Sequence, residues 1–204
     1  MSKHYYSRTP DAAHDRKVHE TELRGIQFKF ITDAGVFSKS GIDYGSRVLI
    51  DALDIAPDAK VLDVGCGYGP IGLTCAKLAE RGRVTMIDIN ERAVQLATEN
   101  ARLNGISNVT VQQSDVYEAV RGNRYDVIVT NPPIRAGKAV VHRIFEEGFR
   151  LLELGGSMWV VIQKKQGAPS AEAKLAELFG DVEEVTKDKG YRIFKATRER
   201  AEET

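Results

Sequence analysis

Cysteine is scarce in this 204-residue chain: Cys66 and Cys75 stand without a CxxC pair. That spacing offers neither a disulfide framework nor a structural zinc site, and it fits a reducing interior. Long apolar runs are missing too. The longest, Met158–Ile162, falls far short of the roughly 20 residues that cross a bilayer. The opening Met1–Pro10, MSKHYYSRTP, lacks the apolar stretch of a secretory signal. There is no net charge, since 29 Lys and Arg balance 29 Asp and Glu, and no segment is strongly basic. Electrostatics alone therefore neither announces nor excludes a nucleic-acid partner. No period of 20–50 residues repeats, which argues against solenoids and propellers. No cluster shows metal-ligand spacing; His142, for one, has no such neighbour. What is present is ordinary: 42% hydrophobic and 28% charged residues, in a chain long enough to bury about 70% of its unfolded surface. A cytoplasmic protein of one domain is the expectation.

Periodicity supplies the organisation. Residues 1–18 are polar, begin with His4-Tyr5-Tyr6 and read as an arm. Ile26, Phe28 and Phe30 alternate with Gln27 and Lys29, the period-two pattern of a half-buried strand. Residues 19–32 thus read as a small hairpin turning near Arg24-Gly25. A helix is expected over Tyr44–Leu53, closed before Pro57. Strands and helices then alternate: strand Lys60–Val64, a glycine loop, and a helix with Ile71, Cys75 and Leu78 on one face. Strand Val84–Ile87 and helix Glu91–Leu103 follow, then strands Val109–Gln112 and Tyr125–Thr130. A helix over Lys138–Leu152 stops at Gly155-Gly156 and leads into strand Met158–Ile162. Helix Ala171–Phe179 precedes two strands, Val182–Lys187 and Tyr191–Thr197, whose link Asp188-Lys189-Gly190 favours an antiparallel hairpin. The fold class is α/β, a mostly parallel sheet with helices on both faces. Ligands in such sheets bind at strand carboxyl ends near the switch point, here the Lys60 and Tyr125 strands. One domain is expected over 19–197, divided into an N-terminal extension, 19–56, and a core, 57–197. Residues 198–204 read as a frayed tail.

The sharpest local signal is Val61-Leu62-Asp63-Val64-Gly65-Cys66-Gly67-Tyr68-Gly69, which leaves a strand and opens a helix. Glycines there let backbone amides approach a ligand with no Cβ in the way. Gly67, Gly69 and Gly72 also satisfy GxGxxG, a weak dinucleotide signature. Asp63 argues for something else: a carboxylate at that place repels a pyrophosphate but attracts an ammonium. Asp88, 25 residues on, suits the two hydroxyls of a ribose, and Asp115 is placed to accept from an adenine amino group. Each acid alone could be a helix cap or a loop residue. Together they match amino acid, ribose and adenine, the three parts of S-adenosylmethionine, better than they match NAD.

This arrangement resembles the class I S-adenosylmethionine-dependent methyltransferases over most of the chain from Lys60 onward. The resemblance implies a Rossmann-like seven-stranded sheet ending in an antiparallel strand pair. It also implies that Gly65, Cys66, Gly67, Gly69, Asp88-Ile89 and Asp115-Val116 contact the cofactor.

The Tyr125 strand runs into Asn131-Pro132-Pro133-Ile134. Two prolines remove two backbone donors and stiffen the chain, leaving the Asn131 amide oxygen and the Pro132 carbonyl to accept both hydrogens of an exocyclic amino group. Such a nitrogen is planar, and holding it in line with a donor methyl can contribute about 7–11 kcal/mol in favourable systems. The segment resembles the Asn-Pro-Pro-X signature of methyltransferases acting on adenine N6, guanine N2 or glutamine N5. Here the fourth residue, often aromatic in that signature, is Ile134. Gly35-Val36-Phe37-Ser38, Asp43, Gly45-Ser46 and Leu49 look like the segment preceding the cofactor domain in small-subunit ribosomal RNA guanine-N2 methyltransferases. Asn131–Lys138 and Trp159–Gly167 are similar to a compact, single-domain branch of that group. The resemblance implies that Phe37 and Ser38 sit near the cofactor, that Asn131, Pro132 and Pro133 form the catalytic corner, and that RNA is the partner. Ile134, Arg135, Lys138, Lys164 and Lys165 would then contact the target base and its flanking phosphates. Two competitors remain: the same chemistry on adenine N6 or a protein glutamine, and a non-catalytic cofactor- or RNA-binding module of ribosome assembly.

Overall fold

The computed structural model describes residues 6–201; residues 1–5 of the arm and 202–204 of the tail lie outside it. The chain enters through a hairpin, β1 (Lys17–Leu23) and β2 (Ile26–Thr32), whose turn holds Arg24 and Gly25 at positive φ. Alternation buries Phe28 and Phe30. The free edge of β2 meets amides of a helix: Asn104 bonds both backbone groups of Lys29, and Asn100 those of Ile31. That closes an edge otherwise open to pairing.

The main sheet contains β3 (Lys60–Val64), β4 (Arg83–Asp88), β5 (Val109–Gln113), β6 (Tyr125–Thr130), β7 (Leu152–Gln163), β8 (Gly180–Asp188) and β9 (Tyr191–Arg198). Their order is β5-β4-β3-β6-β7-β9-β8; β9 alone is antiparallel to its neighbours. This is the Rossmann-like methyltransferase fold, with the sheet reversing direction of build between β3 and β6. Helices α1 (Tyr44–Ala52), α2 (Pro70–Leu78) and α3 (Glu91–Leu103) cover one face; α4 (Lys138–Leu151) and α5 (Ala168–Phe179) cover the other. Strand alternation divides the core accordingly. Val61, Met86, Val129 and Val161 face the hairpin side, while Leu62, Ile87, Ile128 and Val160 face α4 and α5.

Several boundaries differ from the periodicity reading, α5 for one beginning at Ala168 and not at Ala171; two have a visible cause. β7 begins at Leu152, directly after α4, because the four residues Glu153–Gly156 form a bulge opposite Tyr125–Val127. A Cβ on Gly156 would come within 2.9 Å of the Asp126 and Glu153 carbonyl oxygens there. β9 runs to Arg198, whose guanidinium donates to the Phe149 and Leu152 carbonyls at the end of α4, satisfying acceptors that a helix end leaves open.

One close approach in this frame yields a stability prediction. A Cβ at Gly82 would lie 2.1 Å from the Ala59 carbonyl oxygen and 2.9 Å from its nitrogen, at the point where Arg83 begins pairing with Ala59. Gly82→Ala is therefore expected to destabilise the fold by about 1–3 kcal/mol, the usual range for overpacking. A lower urea midpoint at an unchanged m-value is the expected reading.

Candidate active site

The carboxyl ends of β3, β4, β5 and β6 and the loops behind them enclose a cavity of about 980 Å³, part of it open to solvent. Its floor is the loop after β3. Gly65 and Gly67 hold φ of +73° and +56°, and a Cβ on either would meet nothing within 4 Å, so both turn a bare backbone toward open space. The Gly65 and Cys66 amides donate to the Ile87 carbonyl at 2.8 and 3.0 Å, tying the loop to β4. Asp88 at the end of β4 accepts from the Gly67 amide at 2.8 Å and the Asn90 amide at 2.9 Å, one on each oxygen. It lines the cavity, and burial pushes its pKa up to about 6. The remaining lone pairs are available to a pair of hydroxyls. Ile89 lies beside it on the wall, and so does Cys66, whose thiol burial keeps neutral.

Three expected cofactor residues take other places. Asp63 is 1% exposed and off the cavity wall. Period two puts it on the same face of β3 as Val61, beneath α2, where a Cβ on Gly72 would come within 2.8 Å of its Oδ2. Neither of its oxygens has a full hydrogen-bond partner, and burial, with the charge of Asp88 adding to it, pushes its pKa up to about 7. Gly69 is also off the wall; it caps α2 at φ +112°, and Leu73 and Met86 fill the space its Cβ would take. Asp115 stands on the rim, not inside, with Arg8 and Arg143 each 3.7 Å away. Its neighbours Ser114 and Val116 line the cavity instead. Val116 holds φ +51°, a conformation costing a β-branched residue about 1–3 kcal/mol, and the Ser114 hydroxyl donates to its carbonyl.

Asn131, Pro132 and Pro133 form the opposite wall, with Phe37 and Ser38 beside them. The Asn131 side-chain amide donates to Asp43 Oδ2 at 3.2 Å and to Ser46 Oγ at 3.1 Å. Both acceptors sit at the start of α1, where Asp43 is also the N-cap accepting from the Ser46 amide. With its NH₂ so held, Asn131 leaves its carbonyl oxygen as the free acceptor. The Pro132 carbonyl is not wholly free, as the double proline alone suggested: it accepts the Ile134 amide at 2.9 Å. Pro133, at φ −76° and ψ 81°, centres an inverse γ-turn. One lone pair on that oxygen remains.

The expected substrate contacts lie outside the cavity wall. Ile134 is half-buried against the α4 side of the core. Arg135 and Lys138 are exposed just past the corner. Lys164 lies by the β8–β9 turn, its amide bonded to the Gly190 carbonyl, in a shallow depression shared by Lys187, Lys189 and Arg192 with Glu184 and Asp188, while Lys165 is exposed in the turn after β7. Lys189 covers the ring of Tyr44, one residue from Asp43, so this charged edge, with an excess of cations, adjoins the corner.

Tyr6, Asp43, Ser46 and Tyr68 also line the wall, though the sequence assigned none of them a role in the site. Asp43 is legible as an N-cap three residues ahead of Ser46, but only the fold brings both to Asn131. The Tyr68 hydroxyl is buried without a hydrogen-bond partner; burial and then the nearby Asp43 raise its pKa. A bare glycine floor, a carboxylate with spare lone pairs and an orphaned hydroxyl fit an adenosyl amino acid. Among the described residues no group of three or more His, Cys, Asp or Glu could hold a metal ion, and no helix is long and apolar enough to cross a membrane.

Comparison with known proteins agrees with this geometry. Residues 27–195 match the family model described as the methyltransferase small domain. The uncharacterized protein YbxB of Bacillus subtilis is 51% identical over 201 residues, covering 97% of this chain and 100% of that one. The ribosomal RNA small subunit methyltransferase C of Serratia proteamaculans is 30% identical over 184 residues, covering 88% of this chain and 51% of its own length. Among solved structures, the T. thermophilus 16S rRNA N2 guanine methyltransferase, in complex with AdoMet and guanosine, superposes with a TM-score of 0.80 at 27% identity. That match covers 93% of this chain and 52% of the other. The chain thus spans about half the length of both ribosomal RNA methyltransferases.

Proposed function

Because the chain belongs to the methyltransferase small-domain family and is an S-adenosylmethionine-dependent methyltransferase, we propose that its acceptor is the exocyclic N2 of a guanine in ribosomal RNA. The orientation of Asn131 carries this reading. Asp43 and Ser46 hold its NH₂, so the oxygen facing the substrate accepts and does not donate. An acceptor there, with the remaining lone pair of Pro132 beside it, is complementary to an amino group and leaves a ring carbonyl unmatched. The lone pair of an aromatic amine is delocalised, so no strong base is needed at this corner; both hydrogens are held, and the nitrogen is kept in line. The cofactor, when bound, supplies the electrophilic methyl. Residues Gly65, Gly67, Asp88, Ile89, Ser114 and Val116 would hold it, with Phe37 and Ser38 bordering the acceptor side.

RNA fits the surroundings. Arg135 and Lys138 on one side and Lys164, Lys165, Lys187 and Lys189 on the other present cations around the corner, suited to phosphates flanking an extruded base. A base inside a helix costs a few kcal/mol to unstack, so a loop or an unassembled RNA is the easier substrate. The guanosine in the T. thermophilus enzyme supports the choice of base.

Incubation with methyl-labelled S-adenosylmethionine and ribosomal RNA, followed by digestion to nucleosides and mass spectrometry, tests the assignment. N2-methylguanosine is the expected product. Label in N6-methyladenosine, or in protein alone, replaces the acceptor. Cofactor binding without turnover on any of these leaves a non-catalytic module.

A further inference from the structure

We propose that residues 6–16 form a strap across the adenosine end of the cavity, and that Tyr6 is a further cofactor-contacting residue. The inference rests on the reading that this cavity holds S-adenosylmethionine. The arm carries no hydrophobic periodicity, yet it is tethered at three separate points. The Arg8 carbonyl accepts the Glu91 amide at 2.9 Å and the Gln113 side chain at 3.4 Å. The Ala12 carbonyl accepts from Arg92 at 2.8 Å, and the same guanidinium nitrogen donates to the Ala34 carbonyl at 2.7 Å. Asp33, 1% exposed, accepts the Asp15 amide at 2.6 Å and bonds His14 at 2.5 Å. Between these points Pro10 lies on Gly35 so closely that a Cβ there would come within 2.8 Å of it.

Those tethers join the arm to the elements assigned to the adenosyl group. Glu91 and Arg92 open α3 directly after Asp88, and Gln113 ends β5 just before Ser114. Asp115, expected to meet adenine, instead pairs with Arg8 of the strap. Ahead of Arg8 the chain brings Tyr6 onto the cavity wall. Tyr6 shares that wall with Asp88, Ile89, Ser114 and Val116, so it borders the side of the cavity between the ribose acid and the end of β5. Aromatic faces packed on a base are worth about 1–3 kcal/mol. Held from outside by a segment that must lift for exchange, that contact acts mainly on release of cofactor and of its demethylated product.

Stopped-flow dissociation of S-adenosylmethionine and S-adenosylhomocysteine from the full chain tests the strap. Tyr6→Ala is expected to raise both dissociation rates roughly tenfold to a hundredfold, and Tyr6→Phe to stay within about threefold of wild type. Tyr6 belongs to neither core cluster, so the melting temperature without cofactor should be unchanged. Hydrogen exchange at the Glu91 amide, which bonds the strap, should slow on adding S-adenosylhomocysteine. Asp88→Asn, which alters the cavity itself, separates the two ideas. If it weakens binding while Tyr6→Ala leaves the rates alone, the strap proposal falls. If neither change affects binding, the placement of the cofactor falls with it.

Discussion

Asn131→Ala is expected to lower the methyl-transfer rate by at least a hundredfold while cofactor affinity stays within a few-fold. The asymmetry follows from where the side chain works. Its NH₂ is spent on Asp43 and Ser46, and in the proposed mechanism its oxygen is one of two acceptors for the substrate amine. Removing a single preorganised polar group of this kind costs about 10²–10³ in rate elsewhere. The proposed seat of the cofactor's adenosine end, by contrast, is the loop after β3 and the end of β4, which the substitution does not touch. Calorimetry with S-adenosylmethionine and single-turnover transfer to ribosomal RNA measure the two sides separately; full activity in the alanine variant would remove Asn131 from the chemistry. Asn131→Asp sharpens the reading. It keeps an acceptor but sets a carboxylate against Asp43, and two neighbouring carboxylates do not readily both ionise. Ser46→Ala removes one of the two anchors, so a fall in kcat with little change in KM is expected, marking Ser46 as a positioning residue.

This site was half legible in the sequence, and the missing half has a common physical cause. Buried parallel strands read as short apolar runs, which is why β3, β4 and β6 appear nearly residue for residue. The floor of the cavity is local, built within Gly65–Gly67 and Asp88, and local patterns survive in sequence. The orientation of Asn131 is not local: its partners stand 88 and 85 residues away. The arm is harder still, because polar residues docked by backbone carbonyls leave no periodic trace. Asp63 lies where alternation along β3 puts it, with Val61 on the face covered by α2 and away from the cavity wall. Asp115 was assigned to a ligand from its position at a strand end, whereas the reversal at Val116 leaves it on the rim with Arg8 and Arg143.

A buried acid without partners has a measurable signature. Asp63→Asn is expected to stabilise the cofactor-free protein by roughly 4 kcal/mol at pH 8 but by only about 1.5 kcal/mol at pH 5. The unfolded chain releases this proton near pH 3.9, whereas burial pushes the folded value up to about 7. Between those limits the folded state holds a proton that the unfolded state has lost. The stability is therefore full below about pH 4 and falls as pH rises through 7. About three pKa units correspond to roughly 4 kcal/mol, the penalty at pH 8 that an uncharged asparagine escapes. Asp88, raised to about 6 by burial, keeps its own dependence over a narrower pH range in both proteins, so the variant's curve should flatten without becoming level. Urea unfolding at the two pH values measures the difference, and parallel curves would refute the assignment.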